Sequence, residues 1–219
     1  MDKLRLLFEK TGRAAYISHL DLMRTMQRAF LRAGMPLRYS EGFNPHAQIS
    51  MLLPLSLGHE SVCELMDFRV YADCDLAAMP EQLSAVLPEG IVVRRVYEPE
   101  RKGRDLKWLR VLGHLSYDGG VASDICEQLT QFFAQEQLVI TRKTKRGEGE
   151  SDIRPAIKAF SAEMQEGAVL LDAVISAQEP TLNPEHLVSA LRQLSPALTP
   201  DFAHFMRTAV YDADMREFE

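Results

Sequence analysis

Three histidines, His19, His46 and His59, fall within the first sixty residues, and each stands where an imidazole can do chemistry. An imidazole titrates near neutral pH, so it can move a proton or hold an anion. His19 belongs to Ser18-His19-Leu20-Asp21, a helix start. His46 closes the turn Gly42-Phe43-Asn44-Pro45-His46, and His59 follows Gly58 in Leu57-Gly58-His59-Glu60-Ser61. A turn needs Gly, Asn and Pro for its backbone; Phe43 and His46 are surplus to that need. His19 and His46 are therefore the acid–base candidates, and Phe43, Asn44, His46 and His59 the binding candidates at two loop tips. Against this stands a plainer reading. The loop histidines are then simply exposed. His19, whose helical angle falls between Met26 and Phe30, is a half-buried ring bonded to a backbone carbonyl. No H-x-x-x-H pair is present, so no metal is expected.

The second chemical signal is cationic. Arg24, Arg28 and Arg32 recur at i, i+4 and i+8, a stripe of guanidinium groups about 6 Å apart along a helix. Arg142, Lys143, Lys145 and Arg146 precede Gly147 and Gly149, and Arg154 lies just beyond. Such groups suit consecutive phosphates, and Tyr16, Tyr39 and Phe43 offer stacking faces for the bases of structured or single-stranded RNA. A solvated helix face and a polar loop are the plainer alternatives. The net charge of −6 argues against a general nucleic-acid binder, but charge alternates along the chain. Residues 1–46 carry eight Lys/Arg against four Asp/Glu, and residues 47–93 one against seven. Residues 94–113 carry seven against three, 138–158 six against three, and 159–219 three against ten. Basic segments that converge make a local positive field on an acidic body.

Much chemistry is unsupported. No G-x-x-x-x-G-K-[ST] loop, G-x-G-x-x-G turn or G-x-S-x-G elbow follows a strand signal. The three cysteines, Cys63, Cys74 and Cys126, have neither disulfide-framework nor zinc spacing and are too few for an iron–sulfur cluster. No cofactor is expected. The 46% hydrophobic and 26% charged composition is that of an ordinary soluble protein, and no apolar run reaches the roughly 20 residues that span a bilayer. Met1–Lys10 reads as a strand rather than a signal peptide, so a cytoplasmic location is expected.

The elements that must position these residues are legible from period and punctuation. Lys3–Glu9 is a strand. Ser18 caps a helix with Asp21 completing a capping box, and Leu22, Met26, Ala29, Phe30 and Ala33 form its buried arc until Gly34 ends it. Leu37–Ser40, Gln48–Leu53 and Cys63–Ala72 read as strands, Pro80–Leu87 as a helix and Ile91–Glu98 as a strand. Leu106–Tyr117, a helix over 123–135, Leu138–Thr144, a loop from Lys145 to Ser151 and a hairpin across Gln165-Glu166-Gly167 follow. A helix capped by Asn183 and a strand, Asp201–Asp212, end the chain. Each half reads β-α-β-β-α-β, with one further strand in the second. The expectation is an α+β protein of two tandem ferredoxin-like domains with antiparallel sheets, residues 1–98 and 106–219, joined by the charged Glu98–Asp105. The alternative is one continuous sheet built from both halves.

Taken in order, Ser18-His19-Leu20-Asp21, Gly42-Phe43-Asn44-Pro45-His46 and Leu53-Pro54-Leu55-Ser56-Leu57-Gly58 resemble the N-terminal signature of the radical SAM-linked protein family. A basic stretch leading to Asp152-Ile153-Arg154-Pro155 extends the likeness. That resemblance implies a bacterial protein without assigned activity, a shared surface for His19 and His46, and a separate radical SAM protein as partner; this chain lacks the C-x-x-x-C-x-x-C of such an enzyme. The expected architecture is also similar to that of CRISPR-type RNA endonucleases, in which a histidine assists a 2′-hydroxyl without metal. Pseudouridine synthases share a related architecture, but their G-R-T-D-type motif is absent. Three functions follow as expectations: an accessory protein that binds RNA or another modification substrate, a metal-independent RNA-processing enzyme, and a purely protein-docking module.

Overall fold

The computed structural model describes residues 3–71, 74–144 and 147–218. The chain is a mixed α+β protein with mostly antiparallel strands and few helices. It divides into two compact units, Met1–Asp105 with Phe218–Glu219, and Leu106–Glu217.

The first unit runs β1 (Leu4–Lys10), α1 (His19–Arg32), β2 (Ile49–Met51), β3 (Glu60–Phe68), α2 (Met79–Ser84) and β4 (Ile91–Tyr97). Its strand order is β4-β1-β3-β2, antiparallel at every step. Alternation along β1 sends Leu4, Leu6 and Phe8 to one face, and register places Leu6 opposite both Met66 and Val96. Leu22, Met26 and Phe30 from α1 and Met79 and Leu83 from α2 close over that face. Phe30 meets Phe68 with ring centroids 4.8 Å apart. Truncating such a buried ring typically costs about 3–5 kcal/mol.

The ends of α1 are written into the sequence. Ser18 Oγ accepts the Asp21 N–H and donates to the Asp21 carboxylate at 2.8 Å. The second bond of the expected box thus goes to the serine hydroxyl. At the other end Gly34 takes a φ of +71°, and Met35 N–H returns to the Phe30 carbonyl. That left-handed turn favours glycine. Of the strand expected at Leu37–Ser40 only two single bridges form, Leu37 to Val70 and Tyr39 to Ala47.

The second unit runs β5 (Trp108–Ser116), α3 (Ile125–Phe133), β6 (Val139–Thr144), β7 (Gly147–Asp152), β8 (Ile157–Gln165), β9 (Ala168–Ser176), α4 (Glu185–Leu194) and β10 (Phe202–Tyr211). Its main sheet has the order β10-β5-β9-β8, again antiparallel. Gly113 on β5 lets Phe205 lie against the backbone, since a Cβ there would come within 2.7 Å of the ring. Here the sequence reading needs correcting. Residues 147–151 of the segment read as a loop belong to β7, and the Leu138–Thr144 strand pairs with it in a separate hairpin instead of joining the main sheet. Thr141 explains the placement: its N–H donates to Gln193 Oε1 and its carbonyl accepts from Gln193 Nε2, which fastens the hairpin to α4.

No helix is long and apolar enough to cross a membrane, and no group of three or more His, Cys, Asp or Glu suited to a metal occurs, both among the described residues.

Candidate functional site

The Gly42–His46 turn sits on a closed base. Ser40 N–H donates to the His46 carbonyl at 2.8 Å, His46 N–H donates to Ser40 Oγ at 3.1 Å, and Ser40 Oγ lies 2.8 Å from His46 Nδ1. The imidazole is thus engaged in holding the loop shut, although the residue remains exposed. Above this clasp Phe43 is completely exposed, at 108% of its reference area, and Asn44 is exposed beside it. A phenyl ring held wholly in water contributes nothing to the core.

Next to the clasp lies a cationic and aromatic end of the unit. Arg38 and Arg69 are joined through their backbones, with Arg38 N–H donating to the Arg69 carbonyl at 2.8 Å. The Arg38 guanidinium stands over the Tyr71 ring at 5.9 Å, and its Nε is buried without a hydrogen-bond partner. A cleft of about 310 Å³ runs along β2, lined by Lys3, His46, Gln48, Asp67 and Arg69 among others. Its acidic wall is already occupied: Asp67 takes Lys3 Nζ at 2.6 Å and Arg5 Nε at 2.7 Å. Arg5 is fully buried and also lies 5.3 Å from the centre of the Phe218 ring.

The arginine stripe on α1 is not uniform. Arg24 pairs with Asp21 at 3.0 Å, and Arg32 donates to the Val86 carbonyl at 2.5 Å. Arg28 has no such partner among the described residues and borders a second cleft with Tyr39. Ser18 and then Arg24 hold the Asp21 carboxyl below its ordinary pKa. Only the middle arginine of the three is therefore uncommitted.

Two histidines depart from expectation. His19 is exposed; in the first turn the helix has not yet met the sheet, so the angle that points it between Met26 and Phe30 finds nothing to bury it. His59 is buried, 7% exposed, and not at a loop tip. Its loop is strapped onto the 3-10 turn at Gly12–Tyr16, where Gly58 N–H donates to the Ala15 carbonyl and Gly12 N–H to Glu60. Beneath that strap Lys10 and Glu64 are both buried, and Lys10 Nζ donates to the Ala15 carbonyl at 2.8 Å. Burial pushes the Lys10 pKa down while Glu64 opposes it.

The basic cluster of the second unit is partly committed as well. Arg154 donates to the carbonyls of Gln135 and Ile157 and ties β7 to its neighbours. Arg142 Nε is buried without a partner, as is His186 Nδ1 at the start of α4. Burial first and Arg142 second lower the His186 pKa. Lys143 pairs through its backbone with Glu148; Lys145 and Arg146 lie outside the described residues. The sequence reading missed Lys3, Gln27, Arg38, Arg69 and Tyr71. Arg69 and Tyr71 share an i, i+2 face after β3, which was the available signal for those two.

Residues 3–184 match the model of a family described as an uncharacterized protein conserved in bacteria (DUF2344). The chain belongs to that family. Its description names no activity and no partner. No curated protein matches the chain. Among solved structures, a chain of a Cbf5-Nop10-Gar1 complex is similar at 11% identity with a TM-score of 0.50, over 94% of this chain and 48% of that one. This chain thus spans about half the length of its structural neighbour, and the likeness is one of fold. A chain of the encapsulated DyP-type peroxidase from Mycobacterium smegmatis aligns at 11% identity over 94% and 90% of the two chains, but with a TM-score of 0.21 it carries no argument.

Proposed function

We propose that this DUF2344 protein is a non-catalytic accessory that binds RNA at the loop 40–46 end of its first unit and presents it to a separate enzyme. The supporting observation is the placement of Phe43: a fully exposed ring on a loop clasped by Ser40 and His46, beside the Arg38–Tyr71 stack and Arg69. Aromatic faces next to guanidinium groups are what unpaired bases and their phosphates require. Each unit is read as a ferredoxin-like fold, a reading supported by the order β4-β1-β3-β2 in one and β10-β5-β9-β8 in the other. That the separate enzyme is a radical SAM protein rests on the sequence resemblance.

A histidine-driven cleavage has less support. The His46 ring is held by Ser40, and His19 has no partner among the described residues to orient it as a base. Protein docking is favoured by one specific observation, the exposure of Tyr16, Leu20 and Leu57 at 71%, 66% and 63% around the start of α1.

A tagged pull-down from bacterial cells that carry the protein, with and without RNase, separates the readings. A defined RNA class that is lost from Phe43→Ala and Arg69→Glu supports RNA presentation. A partner protein recovered equally well after RNase, with no RNA enriched, contradicts it and favours docking.

A further inference from the structure

A small cleft of about 220 Å³ lies on the first unit between the second half of α1 and the segment that follows it. Its walls are Gln27, Arg28, Leu31, Pro36, Leu37 and Tyr39. Sites that enclose a drug-sized ligand run to roughly 300–1,000 Å³, so this one is sized for a fragment. Leu31 is 73% exposed and Tyr39 49% exposed, an unusual outlay of apolar surface on two neighbouring elements.

The polar groups of the cleft are all unspent. Among the described residues the Gln27 amide, the Arg28 guanidinium and the Tyr39 hydroxyl make no hydrogen bond or ion pair. This contrasts with the two flanking arginines of the same helix face, which are committed to Asp21 and to the Val86 carbonyl. The walls, meanwhile, are held firmly. Tyr39 is bridged to Ala47, its N–H reaches the Tyr71 hydroxyl at 3.5 Å and its carbonyl accepts from Gln48 Nε2 at 3.3 Å. Pro36 fixes its own φ. A rigid aromatic wall, an apolar wall and an unspent donor–acceptor pair describe a slot for one flat heterocycle.

We propose that this cleft receives a single unpaired nucleobase of the RNA strand, stacked on Tyr39 against Leu31 with its edge read by Gln27 and Arg28. The inference rests on the RNA-binding reading above and adds a base-reading position to it. The Gln27 amide both donates and accepts, whereas Arg28 only donates. The preferred base therefore turns a carbonyl oxygen toward Arg28, which favours uracil, cytosine or guanine over adenine. A protein side chain in the same slot is the competing occupant.

Two probes test this. Uridine and adenosine, which carry no phosphate, are titrated into the 15N-labelled protein, and a fluorescent twelve-nucleotide single-stranded RNA is titrated by anisotropy. Uridine should shift the amides of residues 27–39 at lower concentration than adenosine, and Arg28→Ala should level the two. Tyr39→Ala should weaken RNA binding about tenfold, the order expected for one stacked base, while Tyr39→Phe keeps it. RNA bound at full strength by Tyr39→Ala, with the cleft amides unmoved by either nucleoside, overturns the base slot and leaves the RNA reading standing. No RNA affinity in the unmutated protein overturns both.

Discussion

Ser40 and His46 face each other across a loop base with Oγ 2.8 Å from Nδ1; the Ser40 N–H also donates to the His46 carbonyl, and the His46 N–H to Ser40 Oγ. The imidazole that the sequence offers as an acid–base group is thus half spent on closing the loop that displays Phe43. Replacing Ser40 by Ala removes the hydroxyl from two of these bonds and should cost roughly 1 kcal/mol, read as a shift in the urea midpoint, with weaker RNA binding as the loop opens.

Phe43→Ala separates folding from binding. The ring touches no core, so stability should stay within about 0.5 kcal/mol of the parent, while RNA affinity falls about tenfold for one lost stacking face. Equal affinity would remove Phe43 from the surface.

Within the arginine stripe only Arg28 should matter for binding. Arg24→Ala should leave RNA affinity unchanged because its guanidinium is taken by Asp21. Arg32→Ala should appear as a loss of about 0.5–1.5 kcal/mol in stability, the cost of the bond to the Val86 carbonyl. Affinity that fell equally in all three would restore the uniform phosphate stripe suggested by their spacing.

Spacing shows which face a side chain leaves from but not whether its charge is already used. The i, i+4, i+8 pattern placed three arginines on one side of α1; Asp21 and Val86 then claimed two of them, and Val86 is 54 positions away from Arg32. Local signals served well where the physics is local: the Ser18 cap, the Gly34 stop and the Gln165–Gly167 turn all lie where the sequence put them. They failed where partners are distant. The glycines at 147 and 149 suggested a loop, yet pairing with β6 and the Gln193 clamp make a strand. His59 follows a glycine as a loop tip would, yet Ala15, remote in sequence, draws its loop inward.

Lys10 and Glu64 should behave as a coupled buried pair. Lys10→Met removes the bond to the Ala15 carbonyl and a cation whose charge acts with Glu64, and should lower the urea midpoint. The double substitution Lys10→Met/Glu64→Gln should recover a large part of that loss in a double-mutant cycle. Additive losses would mean that the two charges do not act on each other.

His186 gives the pH dependence a sign. Its folded-state pKa lies below the ordinary 6.5 because of burial and then Arg142. The unfolded chain therefore binds more protons between the two values. Its contribution to stability is present above pH 6.5 or so and is lost as pH falls toward the folded value. Histidine NMR should place the His186 ring below the ordinary 6.5, and Arg142→Ala should move it part of the way back.

The most direct test of RNA binding is the salt dependence of affinity for a single-stranded RNA, measured by anisotropy over a range of potassium chloride concentrations. Log Kd against log salt should be a straight line, flattened by about 0.7 in slope when Arg69 becomes Ala, the loss of about one phosphate contact. A protein that binds no RNA at low salt, or whose slope is indifferent to Arg38 and Arg69, would contradict the account and leave the exposed apolar residues of α1 to explain its partner.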